Sequence, residues 1–122
     1  MAKTATDPGY AACPIRNIVD RFGDKWSLLV LYNLHTGGRL RFSEIHRRMT
    51  DISQKMLAST LRRLEQDGLL SRTVYPEVPP RVEYTLTDRG RSLEPVIDAM
   101  RIWGEAHMAE LIIEEEATYK QN

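Results

Sequence analysis

The clearest periodic signal in the chain runs from Ser53 to Gly68. Leu57, Leu61 and Leu64 recur at i, i+4 and i+7 and mark one apolar helix face, with Met56 and Thr60 on its flanks. Gln54, Lys55, Ser59, Arg62 and Arg63 fall largely on the opposite side. Ser53 is placed to cap the N-terminus by accepting a backbone N–H, and Gly68 to take the left-handed position past the C-terminus. Just upstream, Phe42, Ile45 and Met49 give a shorter amphipathic helix with Ser43 as its expected cap. The link Thr50-Asp-Ile52 has three residues, the length a helix-turn-helix requires. Downstream, Leu70 to Tyr75 and Arg81 to Leu86 read as strands, with Val82, Tyr84 and Leu86 on one face. Between them Glu77-Val-Pro-Pro80 forms a turn whose prolines stiffen the loop and blunt its edge.

The flanks read as helices. Cys13-Pro14 opens the first, with Pro in the first helical position and Cys13 at or beside the N-cap. Ile15, Ile18, Val19 and Phe22 are its apolar face, and Gly23 ends it. Asp24 is the expected cap of the next helix, where Trp26, Leu29, Val30 and Leu34 dominate and Leu28, Leu31 and Tyr32 widen the stripe. So apolar a helix reads as the central core element, stopping at Gly37-Gly38. Arg39 to Phe42 suits a single bridge or a short strand. Thr87 or Asp88 caps a final helix to about Ala117, with a stripe of Leu93, Val96/Ile97, Met100, Trp103, His107/Met108 and Leu111. Pro95 should kink or break it between roughly Gly90 and Leu93. The expected fold is therefore mainly α with a small β-hairpin wing, a winged helix-turn-helix. One domain covers 10–117: first helices 10–35, helix-turn-helix 43–67, wing 70–86 and C-terminal dimerisation helices 87–117. A flexible arm (1–9) and a solvated tail (118–122) flank it.

Charge sharpens this picture. The 122 residues carry no net charge, which at first argues against a polyanionic partner. Yet residues 39–91 hold eleven Arg and Lys against seven Asp and Glu, a net of +4, while residues 92–122 net −5. The basic excess lies on the helix-turn-helix and hairpin, and a local basic surface is what phosphate contact needs. No apolar run approaches the ~20 residues of a bilayer span, and the N-terminus lacks a basic-then-apolar signal segment. A cytoplasmic protein with no membrane partner is expected, and its single cysteine suits a reducing compartment.

The expected partner is double-stranded DNA. Ser53, Gln54 and Lys55 occupy the first turn of the second helix, the part that reaches base edges in a helix-turn-helix. Gln54 suits a bidentate pair with adenine, and Lys55 suits guanine or a phosphate. Ser59 and Arg62 continue that face; Arg63 is either a phosphate contact on the rim or a solvated charge. Ser43, at the start of the supporting helix, offers free N–H groups to a phosphate. Arg81 ends the wing loop and suits a minor-groove or backbone contact, the alternative being a salt bridge with Glu77 or Glu83. Arg39 and Arg41 are phosphate candidates or surface charges. Ile15, Ile18, Leu93, Met100, Met108, Leu111 and Ile112 supply more apolar surface than one small core needs, which predicts a homodimer through the first and last helices.

His35, His46 and His107 show no metal-ligand spacing, so neither metal nor cofactor is expected. His35, near a helix C-terminus, reads as an imidazole satisfied by the helix dipole. Trp26, Trp103 and Tyr32 could line an effector pocket, although aromatic residues at helical spacing are more often core. No paired acid and base, activated nucleophile or Gly-rich phosphate loop suggests an enzyme. The alternative to a regulator is a winged-helix module that binds protein without sequence-specific DNA recognition; the basic face of 53–63 and the Arg-bearing wing argue against it.

Cys13-Pro14, Gly23-Asp-Lys-Trp26, Arg41-Phe-Ser-Glu-Ile45, Ile52-Ser-Gln-Lys-Met-Leu57, Leu64-Glu-Gln-Asp-Gly-Leu69 and Tyr75-Pro-Glu-Val-Pro-Pro-Arg-Val-Glu-Tyr-Thr-Leu-Thr87 together resemble the HxlR-type transcriptional regulators. These are bacterial winged-helix proteins related to the MarR group, and the resemblance covers about residues 10–108. It implies a homodimeric DNA-binding repressor or activator with dimer contacts from the first and last helices. Several members of that family use a cysteine near the N-terminus to sense electrophiles or oxidants. In this chain Cys13 would feel a positive helix end, with Arg16 one turn on, and both favour a thiolate. The other reading is a buried, inert cysteine at the dimer interface. With one cysteine, sensing a small electrophile or oxidant requires an adduct, sulfenylation or an intersubunit bond.

Overall fold

The computed structural model describes residues 13–121; the expected arm 1–9, residues 10–12 and Asn122 lie outside the described residues. In order come α1 (Pro14–Phe22), α2 (Ser27–Gly37), β1 (Leu40–Arg41), α3 (Phe42–Arg48), α4 (Gln54–Gln66), β2 (Leu70–Tyr75), β3 (Arg81–Leu86), α5 (Asp88–Arg91) and α6 (Glu94–Gln121). The strands form an antiparallel sheet in the order β1-β3-β2, with Leu70 opposite Leu86 and Tyr75 opposite Arg81. This is a winged helix-turn-helix, with both hairpin strands at the expected positions.

Helix α2 is the hub, packing against α3, α4, α6 and β3. Its buried side chains are Ser27, Val30, Leu31 and Leu34. That corrects the expected phase: Leu29 is 41% exposed while Leu31 is fully buried. An unbroken apolar run from Leu28 to Tyr32 carries no unique 3.6-residue phase, so the packing partners decide it. The cap also sits differently. The helix begins at Ser27, and Asp24 reaches forward, its Oδ2 accepting from the N–H groups of Trp26 and Ser27 at 3.0 Å each.

Around α2 gather Ile45 and Met49 of α3, Ile52 of the turn, Leu57, Leu61 and Leu64 of α4, Leu70, Tyr84 and Leu86 of the hairpin, and Ile97 of α6. Each buried aliphatic side chain contributes roughly 1.5–3 kcal/mol. The final segment breaks at Ser92-Leu93, as Pro95 foretold, and Pro95 falls in the first turn of α6, where its missing N–H is not needed. Beyond it α6 continues to Gln121 rather than ending near Ala117, since the acidic run and the residues after it are largely good helix formers. Leu93 packs partly against the chain's own core, so only part of its side chain is left open for the expected dimer surface.

The C-terminus of α4 is locked to α5. Gly68 has φ +73°; its N–H donates to Glu65 O at 2.9 Å and that of Leu69 to Leu64 O at 3.0 Å, the paired bonds of a Schellman ending. The Thr87 hydroxyl donates to Gly68 O at 2.5 Å and accepts from Gly90 N–H at 3.1 Å. A Cβ added at Gly90 would lie 2.0 Å from Leu69 O. Gly90→Ala is therefore expected to destabilise the fold by about 1–3 kcal/mol, as overpacking does. Urea denaturation should show a lower midpoint with an unchanged slope.

Candidate nucleic-acid interface

Helix α4 is rotated by its buried side so that the opposite side faces solvent. Ser53 caps it, its Oγ accepting from Met56 N–H at 3.1 Å, while Leu57, Thr60, Leu61 and Leu64 point inward. Gln54, Lys55, Ser59 and Arg62 are all exposed, as expected. The turn before α4 is held by His46, whose Nε2 bonds Ile52 O at 2.9 Å. That bond anchors the angle between α3 and α4, a role not evident from the sequence.

Ser43 is exposed but does not cap α3. The cap lies two residues earlier, at Arg41, the helix starts at Phe42, and Glu44 closes its end by accepting from Arg41 N–H at 2.9 Å. Ser43 thus lies within the first turn. Arg63 departs further from expectation. Its Nη2 lies 3.0 Å from Asp24 Oδ1 and bonds the Ser27 hydroxyl, so this exposed side chain braces the N-terminus of α2. Burial alone would raise the Asp24 pKa. The Ser27 hydroxyl, the Trp26 and Ser27 N–H groups and the Arg63 guanidinium outweigh it and hold the carboxyl below its ordinary range.

At the wing, the alternative foreseen for Arg81 is the one observed in the free chain. Its Nη2 lies 3.4 Å from Glu77 Oε1, and its guanidinium stacks 4.1 Å from the Tyr75 ring centroid. Arg39 bonds the Tyr75 hydroxyl at 2.7 Å and approaches Glu83 at 3.4 Å. Arg41 is exposed.

Cys13 is exposed at the N-cap of α1 and makes no side-chain capping bond. Ile15 and Ile18 on α1 are 68% and 51% exposed; Met100, Met108, Leu111 and Ile112 on α6 are 43–53% exposed. Trp26 is partly buried against the core, whereas Trp103 is exposed and stacks on His107. Tyr32 lines a hollow of about 270 Å³ between α2 and α6 with Leu28, Leu29, Ile97, Met100 and Arg101, so the three aromatic residues do not converge on one pocket.

His35 is satisfied not by its own helix, as its position suggests, but by α6. Nδ1 bonds Glu94 and Nε2 lies 2.9 Å from Asp98 Oδ1. Hydrogen bonds to Asp98 and Glu94 raise its pKa above 6.5 against the opposing effect of burial. An imidazolium donates from both nitrogens at once, a neutral ring from only one. Arg101 sits 3.9 Å from Asp98, and Arg39 and Arg91 line the hollow that His35 and Glu94 share. Among the described residues no group of three His, Cys, Asp or Glu side chains could hold a metal, and no helix is long and apolar enough to cross a membrane.

The caps, the exposed face of α4 and the hairpin beside it define a DNA-binding winged helix of the MarR-like transcriptional regulators. The chain belongs to the HxlR-like helix-turn-helix family, whose model matches residues 21–111. It is 53% identical to an HTH-type transcriptional regulator of Methanothermobacter thermautotrophicus, covering 85% of this chain and 88% of that one. Among solved structures it resembles the redox regulator HypR in its reduced form, with TM-score 0.76, 42% identity and coverage of 81% and 97%. It also resembles the reduced form of the transcriptional regulator YodB from Bacillus subtilis, with TM-score 0.67, 38% identity and coverage of 78% and 93%.

The His35 clamp yields a pH dependence. Because its folded pKa is raised, the stabilisation is complete below pH 6.5 and is lost as pH rises through the folded value. Wild-type unfolding free energy should thus fall between about pH 6 and about pH 9 more than that of His35→Ala. Equal slopes in urea titrations would remove the clamp from the account.

Proposed function

We propose that the protein is a homodimeric, sequence-specific regulator of transcription that reads an inverted repeat with one α4 in each half-site. The observation that carries this reading is the exposed first turn of α4, where Gln54 and Lys55 stand on a helix whose rotation the core fixes. In this reading Gln54 and Lys55 address base edges, while Ser43, Ser53, Ser59 and Arg62 contact the backbone. Arg81 reaches the adjoining minor groove or backbone by exchanging Glu77 for phosphate. The uncovered apolar strips of α1 and α6, with Ile15, Ile18, Met100, Met108, Leu111 and Ile112, support pairing of two copies. The protein should sediment as a dimer at micromolar concentration and bind half-sites ~34 Å apart, centre to centre. Footprinting upstream of its own gene supplies a first operator. There, Gln54→Ala or Lys55→Ala should cost about 1–3 kcal/mol and relax preference at particular positions. Equal losses on operator and random DNA would assign these residues to anchoring instead of reading.

Cys13 supports a second layer to this reading. HypR is described as a redox regulator, and in this chain the one thiol stands exposed at the start of an uncovered helix. Addition of Sγ to a ring carbon of a quinone, with the C=C π bond broken and the thiol proton taken up by the resulting hydroquinone, would place a group where α1 meets the second copy. Alternatively, diamide would take two electrons and two protons from a pair of Cys13 thiols and leave an intersubunit disulfide. Either change alters the spacing of the two α4 helices, and a coupling of ~1–3 kcal/mol gives a 5–150-fold response. Diamide or a quinone should lower operator affinity of the wild type and leave Cys13→Ser unchanged. An equal response in both proteins would make Cys13 structural.

A further inference from the structure

The face that β2 and β3 turn toward α4 should be apolar throughout. The register sets Leu70 opposite Leu86, Arg72 opposite Tyr84 and Val74 opposite Val82, and directly opposed residues of an antiparallel pair share a face. Leu70, Leu86 and Tyr84 are buried, yet the position between Leu70 and Val74 is an exposed arginine. An inward-pointing charge on an edge strand can protect it from pairing with another chain, and β2 is an edge strand. Edge protection does not account for what Arg72 meets there. Arg72, Arg62, Ala58, Glu65 and Tyr84 line one hollow of about 390 Å³ between α4 and the hairpin. Among the described residues neither arginine is bound to a carboxylate, and the Tyr84 hydroxyl has no intramolecular partner. Two arginines thus line a space in which Glu65 is the one carboxylate among the described lining residues.

We propose that this hollow seats a single phosphodiester of the DNA backbone, held by Arg62, Arg72 and the Tyr84 hydroxyl. The inference rests on the DNA-binding reading and names a contact within it. With Glu65 ionised, the two arginines leave the hollow a net charge of +1, matched to a phosphodiester monoanion and poorly matched to a dianionic phosphomonoester. Arg62 lies seven residues past Lys55 on the exposed face of α4, so the hollow continues the proposed reading surface toward the wing. A strand leaving the major groove at α4 for the wing crosses this point, and its phosphate meets donors from both elements. Guanidinium groups suit that task because their forked donors match phosphate oxygens. The contact carries no sequence information.

Anisotropy titrations of a random-sequence duplex over a series of salt concentrations test this. Arg72→Gln should weaken binding roughly tenfold, as for one lost charge-assisted hydrogen bond, and lower the salt slope by about one unit. Glu65→Gln should strengthen binding. Because Arg72 is exposed, its variant should melt with the wild type. A wild-type titration curve for Arg72→Gln would overturn the proposal while leaving the DNA reading intact. Absence of salt-dependent duplex binding by the wild type would overturn both. Binding of inorganic phosphate to the free protein that is lost in Arg72→Gln, with duplex affinity unchanged in that variant, would identify a free-phosphate site and overturn the DNA contact.

Discussion

Burial of Leu57, Leu61 and Leu64 fixes the rotation of α4 about its own axis, and with it the direction of every side chain on the opposite face. The hairpin inherits the same constraint. Leu69 and Leu70 follow immediately after the Gly68 turn and enter the core that α4 has already entered, so the wing cannot shift without moving the helix. Thr87 closes this unit from behind: its hydroxyl donates to Gly68 O and its N–H to Leu69 O, while Gly90 N–H donates to the same hydroxyl. Helix, turn and hairpin form one rigid piece because their apolar sides share one interior. Arg63 extends that piece to α2, where it meets both the capping carboxylate and the hydroxyl at the helix start.

Features governed by local periodicity or local caps were legible without coordinates. The limits of α4, both hairpin strands, the position of Cys13 before α1 and the break ahead of Pro95 depend on residues within a turn or two. The misread features depend on partners far along the chain. Arg63 finds Asp24 and Ser27, and His35 finds Glu94 and Asp98; no spacing rule links such positions. The exposure of Leu29 is not legible because its run is apolar on every side, and the partial burial of Leu93 because the break at Ser92-Leu93 changes the direction of the stripe. Arg72 left a trace that was passed over: an arginine interrupts the apolar alternation of β2, and only the position of α4 gives that interruption a meaning.

Two kinds of surface remain open in the single chain, and they differ in chemistry and place. One is the polar side of α4 with the hollow beside the hairpin. The other is the apolar strip along α1 and the far half of α6. Core packing and the His35 bonds join them through α2, which touches α4 on one flank and α6 on another. The two surfaces are thus linked by contacts through a single helix.

Helix α6 makes that connection mechanically unequal. Among its described residues only Ile97, near the start, is buried, and the clamp from His35 grips the same first two turns. At 1.5 Å per residue the remainder extends for roughly 35 Å past that grip. It behaves as a lever with its fulcrum beside His35. A tilt of about 5° at the fulcrum sweeps the far end through roughly 3 Å over that length, more than half the separation of neighbouring strands in a sheet. Any tilt at the His35 contact would therefore be largest where the exposed side chains of Met108, Leu111 and Ile112 lie.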